Sequence, residues 1–526
     1  MAKSEQKANH HIIGAGIAGL ATAVFLIRDA GIKGGNIKIY EQSEKKGGSL
    51  DGSGDKTEGY LVRGGRMFEE HFVCTFNLLS SIPSADNLDI SIFEDIQSFN
   101  KMVPGRSSCR IVRGAQPAPD RYSLGLSKHD TLNIVRLLLR SEGSLYEKSI
   151  DDWFSAAFFE SNFWLMWSTM FSFQPWHSLV EMRRYLRRFI HLFPGFTRVA
   201  GILRTRYNQY DSIIAPIVAW LGERGVEIAT NSQIVDANIT EALSGDRLIT
   251  SLIKLNGEVI NTSEADRVYF TLGSMTEGST IGSNSMATNL DDRSGGAWSL
   301  WETLAGKYSG FGNPDSFCGN PSKTAWNSFT VTLESSALLD FMEEFTGNRT
   351  GTGGIITFAD SSWILSIVMF HQPHFKTQNR GSYIFWGYGL RGDRCGDFVD
   401  VSMWQATGDQ ILVELLGHLG LSENGKDYFS KAKIRLSRMP FITSQFLVRD
   451  RDDRPEVIPA GAQNFAVIGQ YCELPIDCVF TVEYSVRSAW TAVRKLTGAI
   501  DMPPNVVRND LNPAVIWRAA KVLMKS

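Results

Sequence analysis

The sequence predicts an α/β protein that opens with a dinucleotide-binding unit, and three observations predict it. Residues 10–13 form a short apolar run that leads directly into the turn Gly14-Ala15-Gly16-Ile17-Ala18-Gly19. An apolar helical pattern follows over residues 20–29. Residues 36–40 then alternate like a strand and stop at Glu41, which completes a strand–turn–helix–strand unit.

Each part of that unit has a physical task. Gly14 permits the tight turn, Gly16 lets backbone NH groups approach a pyrophosphate, and Gly19 lets the helix pack on the strand. The helix N-terminus offers unpaired NH donors and the positive end of its dipole to phosphates. Glu41, at the end of the second strand, can accept hydrogen bonds from a ribose diol.

Further along, glycine and charge are dense over residues 47–83, as a cofactor-lining segment requires. Residues 128–225 are mainly helical in pattern and rich in Trp, Phe and Leu, whereas 226–274 and 325–388 alternate more like strands. Residues 463–470 read as a buried strand closing on glycine, with a helical pattern after it over 482–496. The cofactor domain is therefore expected to be discontinuous: 1–127 with 226–280 and 440–500. The rest divides into a mainly helical substrate-site region, 128–225, a mixed α+β substrate domain, 281–439, and a helical C-terminal segment, 501–526.

Composition narrows the function. The chain has 526 residues, 43% of them hydrophobic and 21% charged, the balance of a globular protein with a large core. A net charge of -3 gives no support to a nucleic-acid partner. The N-terminus lacks an apolar signal-peptide core, and no window approaches bilayer-spanning length, so a cytoplasmic location is expected. The six cysteines are scattered without CxxC spacing, which reads as reduced thiols and predicts no metal site.

Gly47-Gly48-Ser49-Leu50 resembles the glycine pair that follows the ribose acid in flavin oxidoreductases of the amine-oxidase type. Residues 60–66, YLVRGGR, add a second backbone-approach loop with Arg63 and Arg66 available to a pyrophosphate. FAD is thus favoured over NAD. The fold class becomes α/β with a Rossmann-like FAD-binding domain of the amine-oxidase/glutathione-reductase type, an inserted mixed domain and a helical C-terminal region.

Longer strings carry a closer resemblance: GGSLDG at 47–52, HFVC at 71–74, FSFQPWHSLVEMRRY at 171–185, YNQYDSIIAPI at 207–217 and TLGSMTEGS at 271–279. It continues through QPHFKTQ at 372–378, FWGYGL at 385–390, MPFITSQF at 439–446 and FAVIGQYCELPIDCVFTVEYSVR at 465–487. These strings resemble the oleate hydratases, also catalogued as myosin-cross-reactive antigens. The resemblance implies non-covalent FAD and redox-neutral addition of water to a cis double bond of a free unsaturated fatty acid. It implies cofactor contacts from Ser49, Met67, Phe68, Val235, Ser274 and Thr481 besides the glycines. It places the proton-donating tyrosine at Tyr185 and a polar head-group residue at Gln209, with His374 nearby. A phenol suits the acid role because flavin and cationic neighbours can tune its pKa.

The sequence also departs from that family. A glutamate regarded as water-activating normally follows RGGR, and here Met67 stands in its place. A thioether has no usable basicity. If the chain turns helically after Arg66, Glu70 shares a face with Met67 and could reach the same water, with Glu69 the second candidate. The threonine and asparagine that precede the family's histidine are Val368 and Phe370 here, so recognition of the carboxylate should be weakened or relocated. His71 and His177 lie in family strings, but both read as structural.

Two other readings stay open. One is a fatty-acid double-bond isomerase or flavin oxidoreductase on the same scaffold, and the other a flavin- and lipid-binding protein without catalysis. The C-terminal residues 515–525 alternate apolar groups with Arg518, Lys521 and Lys525, which suits either an anionic membrane surface or a docking helix. Fewer residues precede the glycine turn than is usual in the resembled family, so a dimer contact through a longer N-terminus is not expected. Monomer and homodimer both remain open.

Overall fold

The structure is a computed structural model that describes residues 8–65, 67–290, 292, 295–421 and 425–524. Arg66, one of the two expected pyrophosphate cations, lies outside the described residues.

Five parallel strands form the first sheet: β1 (His10–Ile13), β2 (Ile37–Tyr40), β3 (Glu227–Ala229), β4 (Arg267–Thr271) and β5 (Phe465–Ile468), in the order β5-β4-β1-β2-β3. Such sheets are buried on both faces, and β1 and β5 accordingly have no exposed position. Five helices matter for the site: α1 (Ile17–Arg28), α2 (Val73–Leu79), α3 (Leu179–Arg188), α4 (Val482–Thr497) and α5 (Pro513–Met524). The helix expected over residues 20–29 therefore begins three residues earlier, inside the glycine turn. α1 and α4 pack on each other, with Phe25 stacked on Trp490 at 4.9 Å between ring centroids. Glu483 of α4 accepts the Cys74 and Thr75 amides at 3.0 and 2.8 Å, so it caps the N-terminus of α2 from a distant part of the chain. A three-stranded antiparallel meander over residues 234–261 flanks this unit.

The second sheet has eight strands in the order 280–282, 433–439, 326–333, 383–389, 366–369, 355–358, 111–113 and 116–117. Its neighbours pair antiparallel except 355–358 with 111–113. Residues 111–117 thus belong to the edge of this sheet, outside the first. The 325–388 stretch also contains a helix, Ala337–Thr346, whose buried Leu338, Leu339 and Met342 keep helical spacing within a mostly alternating region. Strand Trp326–Leu333 is buried at every position: one face meets helices and the other faces the site. The Tyr60 and Val62 amides donate to the Thr332 and Thr330 hydroxyls of that strand, which ties the YLVRGGR segment to the second sheet. Among the described residues, no helix is long and apolar enough to cross a membrane.

Candidate active site

The turn between β1 and α1 is shaped as a cradle. Gly14 has φ +98°, and its amide donates to the Tyr40 carbonyl at 2.8 Å. A Cβ on Gly19 would sit 2.0 Å from the Gly14 carbonyl oxygen, so only glycine lets α1 start here. The Cβ direction of Gly16 is open, with nothing nearer than the Gly48 Cα at 4.0 Å. The glycine pair lies against this turn, Gly47 donating to the Ala15 carbonyl at 2.9 Å. α1 has no side-chain cap and no acid in its first turn, which leaves its NH donors to an outside anion.

Glu41 is fixed at the lip: one carboxylate oxygen accepts the Ala15 amide at 2.8 Å, and the other accepts the Ser43 amide and hydroxyl. Ser274 lies three residues beyond the end of β4, and Val235 is the second residue of the meander strand Ile234–Glu241. Across from Gly14, the Thr271 hydroxyl is buried and has no hydrogen-bond partner. Open amides, a positioned carboxylate and an orphaned hydroxyl together fit a dinucleotide cofactor.

Arg63 departs from expectation. Its guanidinium pairs with Asp51 at 2.9 Å and donates to the carbonyls of Gly48 and Thr276 at 2.9 and 3.1 Å. It braces the glycine loop and is committed to protein partners.

Behind the cradle lies a cavity of about 120 Å³, walled largely by apolar side chains that include Met67, Phe68, Phe171, Trp326, Trp386 and Phe480. Thr481, the N-cap of α4, lies on the same wall. Tyr185 of α3 also lines it, buried, with its hydroxyl donating to the Val479 carbonyl at 2.5 Å. The rings of Phe171, Phe173 and Phe189 surround the phenol at 5.0 to 5.3 Å and fix its direction.

The expected helical turn after residue 66 is a strand instead. Phe68–Glu69 pairs antiparallel with Ile202–Leu203, and the chain turns at Glu70. Glu69 points inward and lines the cavity, whereas the Glu70 side chain is 72% exposed and is not among the lining residues. The case for Glu70 over Glu69 rested on helical spacing and fails with it.

Glu69 forms an ion pair with Arg188 at 2.7 Å, accepts the His71 amide and ring nitrogen at 2.8 and 2.9 Å, and lies 3.2 Å from His191 Nε2. Burial alone would raise its pKa, but His191, His71 and Arg188 outweigh burial and hold it at about 2. The contact to Glu69 raises the pKa of His71 in turn. His177 is buried away from this cluster, with Nδ1 accepting the Gln174 amide at 3.0 Å.

A second cavity of about 50 Å³ adjoins the first, and the two share Gly65, Met67, Val368 and Phe370 as a common wall. Gln209 and His374 line it, together with Asp51, Arg204 and Asn208. The His374 ring stacks on Phe370 at 3.7 Å, and burial followed by the nearby His371 lowers its pKa to about 3. Imidazole there is neutral at ordinary pH.

Comparison with known proteins agrees with this geometry. Residues 7–494 match the MCRA family. The chain belongs to the MCRA family. An "Oleate hydratase" of Streptococcus pyogenes is 39% identical over 92% of this chain and 84% of its own length. A "Linoleate hydratase" of Lactiplantibacillus plantarum is 29% identical over 97% of each. Among solved structures, "Cyclohexylamine Oxidase" from Brevibacterium oxydans shares 12% identity with a TM-score of 0.55, over 94% of this chain and 99% of that one. That likeness places this MCRA family member in the amine-oxidase type of α/β fold.

Several lining residues escaped the sequence reading of this family member. Phe480 enters the cavity wall with a left-handed backbone, φ +68°, which nothing in its neighbours announces. Trp326 and Trp386 reach the wall from strands whose alternation was visible but whose facing was not. Arg204 lies just before the YNQY string, and nothing in the sequence marked it as a lining residue.

Proposed function

We propose that this MCRA family member adds water across a cis double bond of a free unsaturated fatty acid, with FAD bound and no net redox change. The observation that carries the reading is the Tyr185 hydroxyl on the wall of an apolar cavity that adjoins a second, polar one. The names of the two hydratase relatives support the same substrate class.

FAD would be held by the amides around Gly14, Gly16 and Gly19, by Glu41, by the Gly48-Ser49 loop, and by Val235, Ser274 and Thr481. Met67 and Phe68, which line the first cavity, would also touch the cofactor. When bound, FAD supplies a polarisable ring whose charge tunes the acidity of groups beside it. Tyr185 gives its phenolic proton to one alkene carbon, and water oxygen bonds to the other. The water's released proton restores the phenol through solvent, so the product gains one water and no electrons are exchanged.

Met67 cannot take a proton from that water. Glu69 can accept a hydrogen bond from it, but a carboxylate held at about 2 is a weak base, so its part is to orient the attacking oxygen. The fatty-acid carboxylate lies toward Gln209 and His374.

Incubation with a panel of unsaturated fatty acids and FAD under reducing conditions, read by mass spectrometry, tests the reading. The expected product carries the added mass of water. A shifted double bond at unchanged mass would replace hydration with isomerisation, and consumption of an electron acceptor would replace it with oxidation.

The chain would meet such substrates at a membrane surface. α5 docks through Val515, Ala519 and Leu523 and exposes Ile516 and Trp517 beside Arg518 and Lys521, an arrangement that suits peripheral contact with anionic lipid. Co-sedimentation with anionic and neutral vesicles checks it: binding should need the anionic lipid.

A further inference from the structure

We infer that Arg204 is the anchor for the anionic end of the substrate, on the wall of the second cavity that the apolar Val368 and Phe370 also line. The inference deepens the hydratase reading and rests on it for the identity of the acid.

A buried charge ordinarily has a partner. Arg204 lines the second cavity, yet among the described residues no carboxylate lies within 4.0 Å of its guanidinium, and its Nε and Nη1 are buried without any hydrogen-bond partner. It is nonetheless held in place. Nη2 donates to the Val103 carbonyl, and the Arg204 amide donates to Asn100 Oδ1 at 3.1 Å. Gly353, at φ +74°, makes room for the stem: a Cβ there would sit 2.6 Å from Arg204 Cδ. The side chain is therefore positioned, and two of its nitrogens are left to something else.

The other polar groups of the cavity cannot supply that charge. Burial lowers the pKa of His374 to about 3 and lowers that of His371 as well, so both rings are neutral at ordinary pH. Asp51, also on the wall, is paired with Arg63 at 2.9 Å. Burial lowers Arg204 only to about 10, and it stays a cation. The free charge of the lining, among the described residues, is positive and resides on Arg204.

Geometry then orders the substrate. An acid held at Arg204 passes the wall shared by Met67, Val368 and Phe370 and enters the apolar cavity that Tyr185 lines. Val368 and Phe370 become an apolar passage, and head-group recognition falls to Arg204. A long-chain monocarboxylate fits this arrangement, and a neutral lipid would leave the guanidinium buried without an anion.

The test compares oleic acid with its methyl ester and with palmitic acid, which has no double bond to hydrate. Binding is measured by calorimetry on FAD-loaded protein and turnover by mass spectrometry, for the natural chain, Arg204→Met and Arg204→Lys. A charge-assisted hydrogen bond lost from a buried site weakens binding by ~10–100-fold. Arg204→Met should raise Kd for palmitic acid and KM for oleic acid by a factor in that range, with kcat nearly unchanged and preference for acid over ester lost. Arg204→Lys should recover part of the affinity. Unchanged acid affinity in a folded Arg204→Met protein overturns the inference, as does equal binding of acid and ester by the natural chain, which needs no variant to fold. Arg204-dependent binding of palmitic acid together with no hydrated product from oleic acid would sink the hydratase reading and leave the anchor standing.

Discussion

At the β1–α1 turn the working groups are backbone amides, exposed by glycines that are close neighbours in sequence. Across the two cavities they are side chains delivered by separate segments: Tyr185 from α3, Glu69 from a two-residue strand, Gln209 from the start of the helical stretch over 210–223 and His374 from a loop far along the chain. Backbone sites depend on the absence of a Cβ and tolerate little else. Side-chain sites depend on charge and direction: positions 368 and 370 are apolar here, while in the same cavity Arg204 has no carboxylate partner among the described residues.

That contrast makes the cradle the most fragile point. Gly16→Val fills the open direction above the turn and should abolish flavin binding, and with it activity, while circular dichroism stays near that of the natural protein. A purified variant with full flavin absorbance would break the assignment. Next in size is Tyr185→Phe, which deletes only a hydroxyl. Loss of a general acid lowers the rate by ~10²–10⁴-fold, and flavin absorbance should persist. Near-normal turnover would move the proton donor elsewhere.

Glu69→Gln tests whether the cavity can lose a charge. Removing one partner of a buried ion pair costs ~3–5 kcal/mol because Arg188 is left uncompensated, so Tm should fall clearly. The same group has an acid signature. Its folded pKa of about 2 lies below the ordinary 4.5, so its contribution is present above pH 4.5 and is lost as pH falls toward 2. In Glu69→Gln that part of the acid sensitivity should disappear. Smallest of all is Glu70→Gln: in the exposed turn after the strand it should change turnover by less than about twofold, as surface substitutions do. A hundredfold loss would return the water-orienting role to Glu70.

How much was legible follows the same division. GAGIAG, its flanking strands and Glu41 were readable because a dinucleotide cradle is local and its glycines have separate, position-bound tasks. The strand over residues 463–470 was readable too, as a buried run closing on glycine, and Phe465–Ile468 pairs with β4 in the first sheet. The ranking of Glu70 over Glu69 did not hold because the strand at Phe68–Glu69, which replaces the expected helical turn, forms only with its partner at 202–203, far away in sequence. Arg63 looked available because its acceptors, Asp51 and the carbonyls of Gly48 and Thr276, are assembled only on folding. Arg204 was invisible for the opposite reason: a cation is noteworthy only once its surroundings are known to lack an anion.

The edge of the first sheet has a consequence for how the chain comes into being. β4 has β1 on one side and waits for β5 on the other, and β5 lies at residues 465–468. During synthesis the ribosome must release nearly the whole polypeptide before that edge is covered, and α2 remains uncapped until Glu483 emerges. Contacts so distant in sequence fold slowly and leave a strand edge open to intermolecular pairing in the meantime. Nascent chains stopped before residue 465 should therefore depend on chaperones and aggregate readily, whereas chains extended past α4 should resist proteolysis.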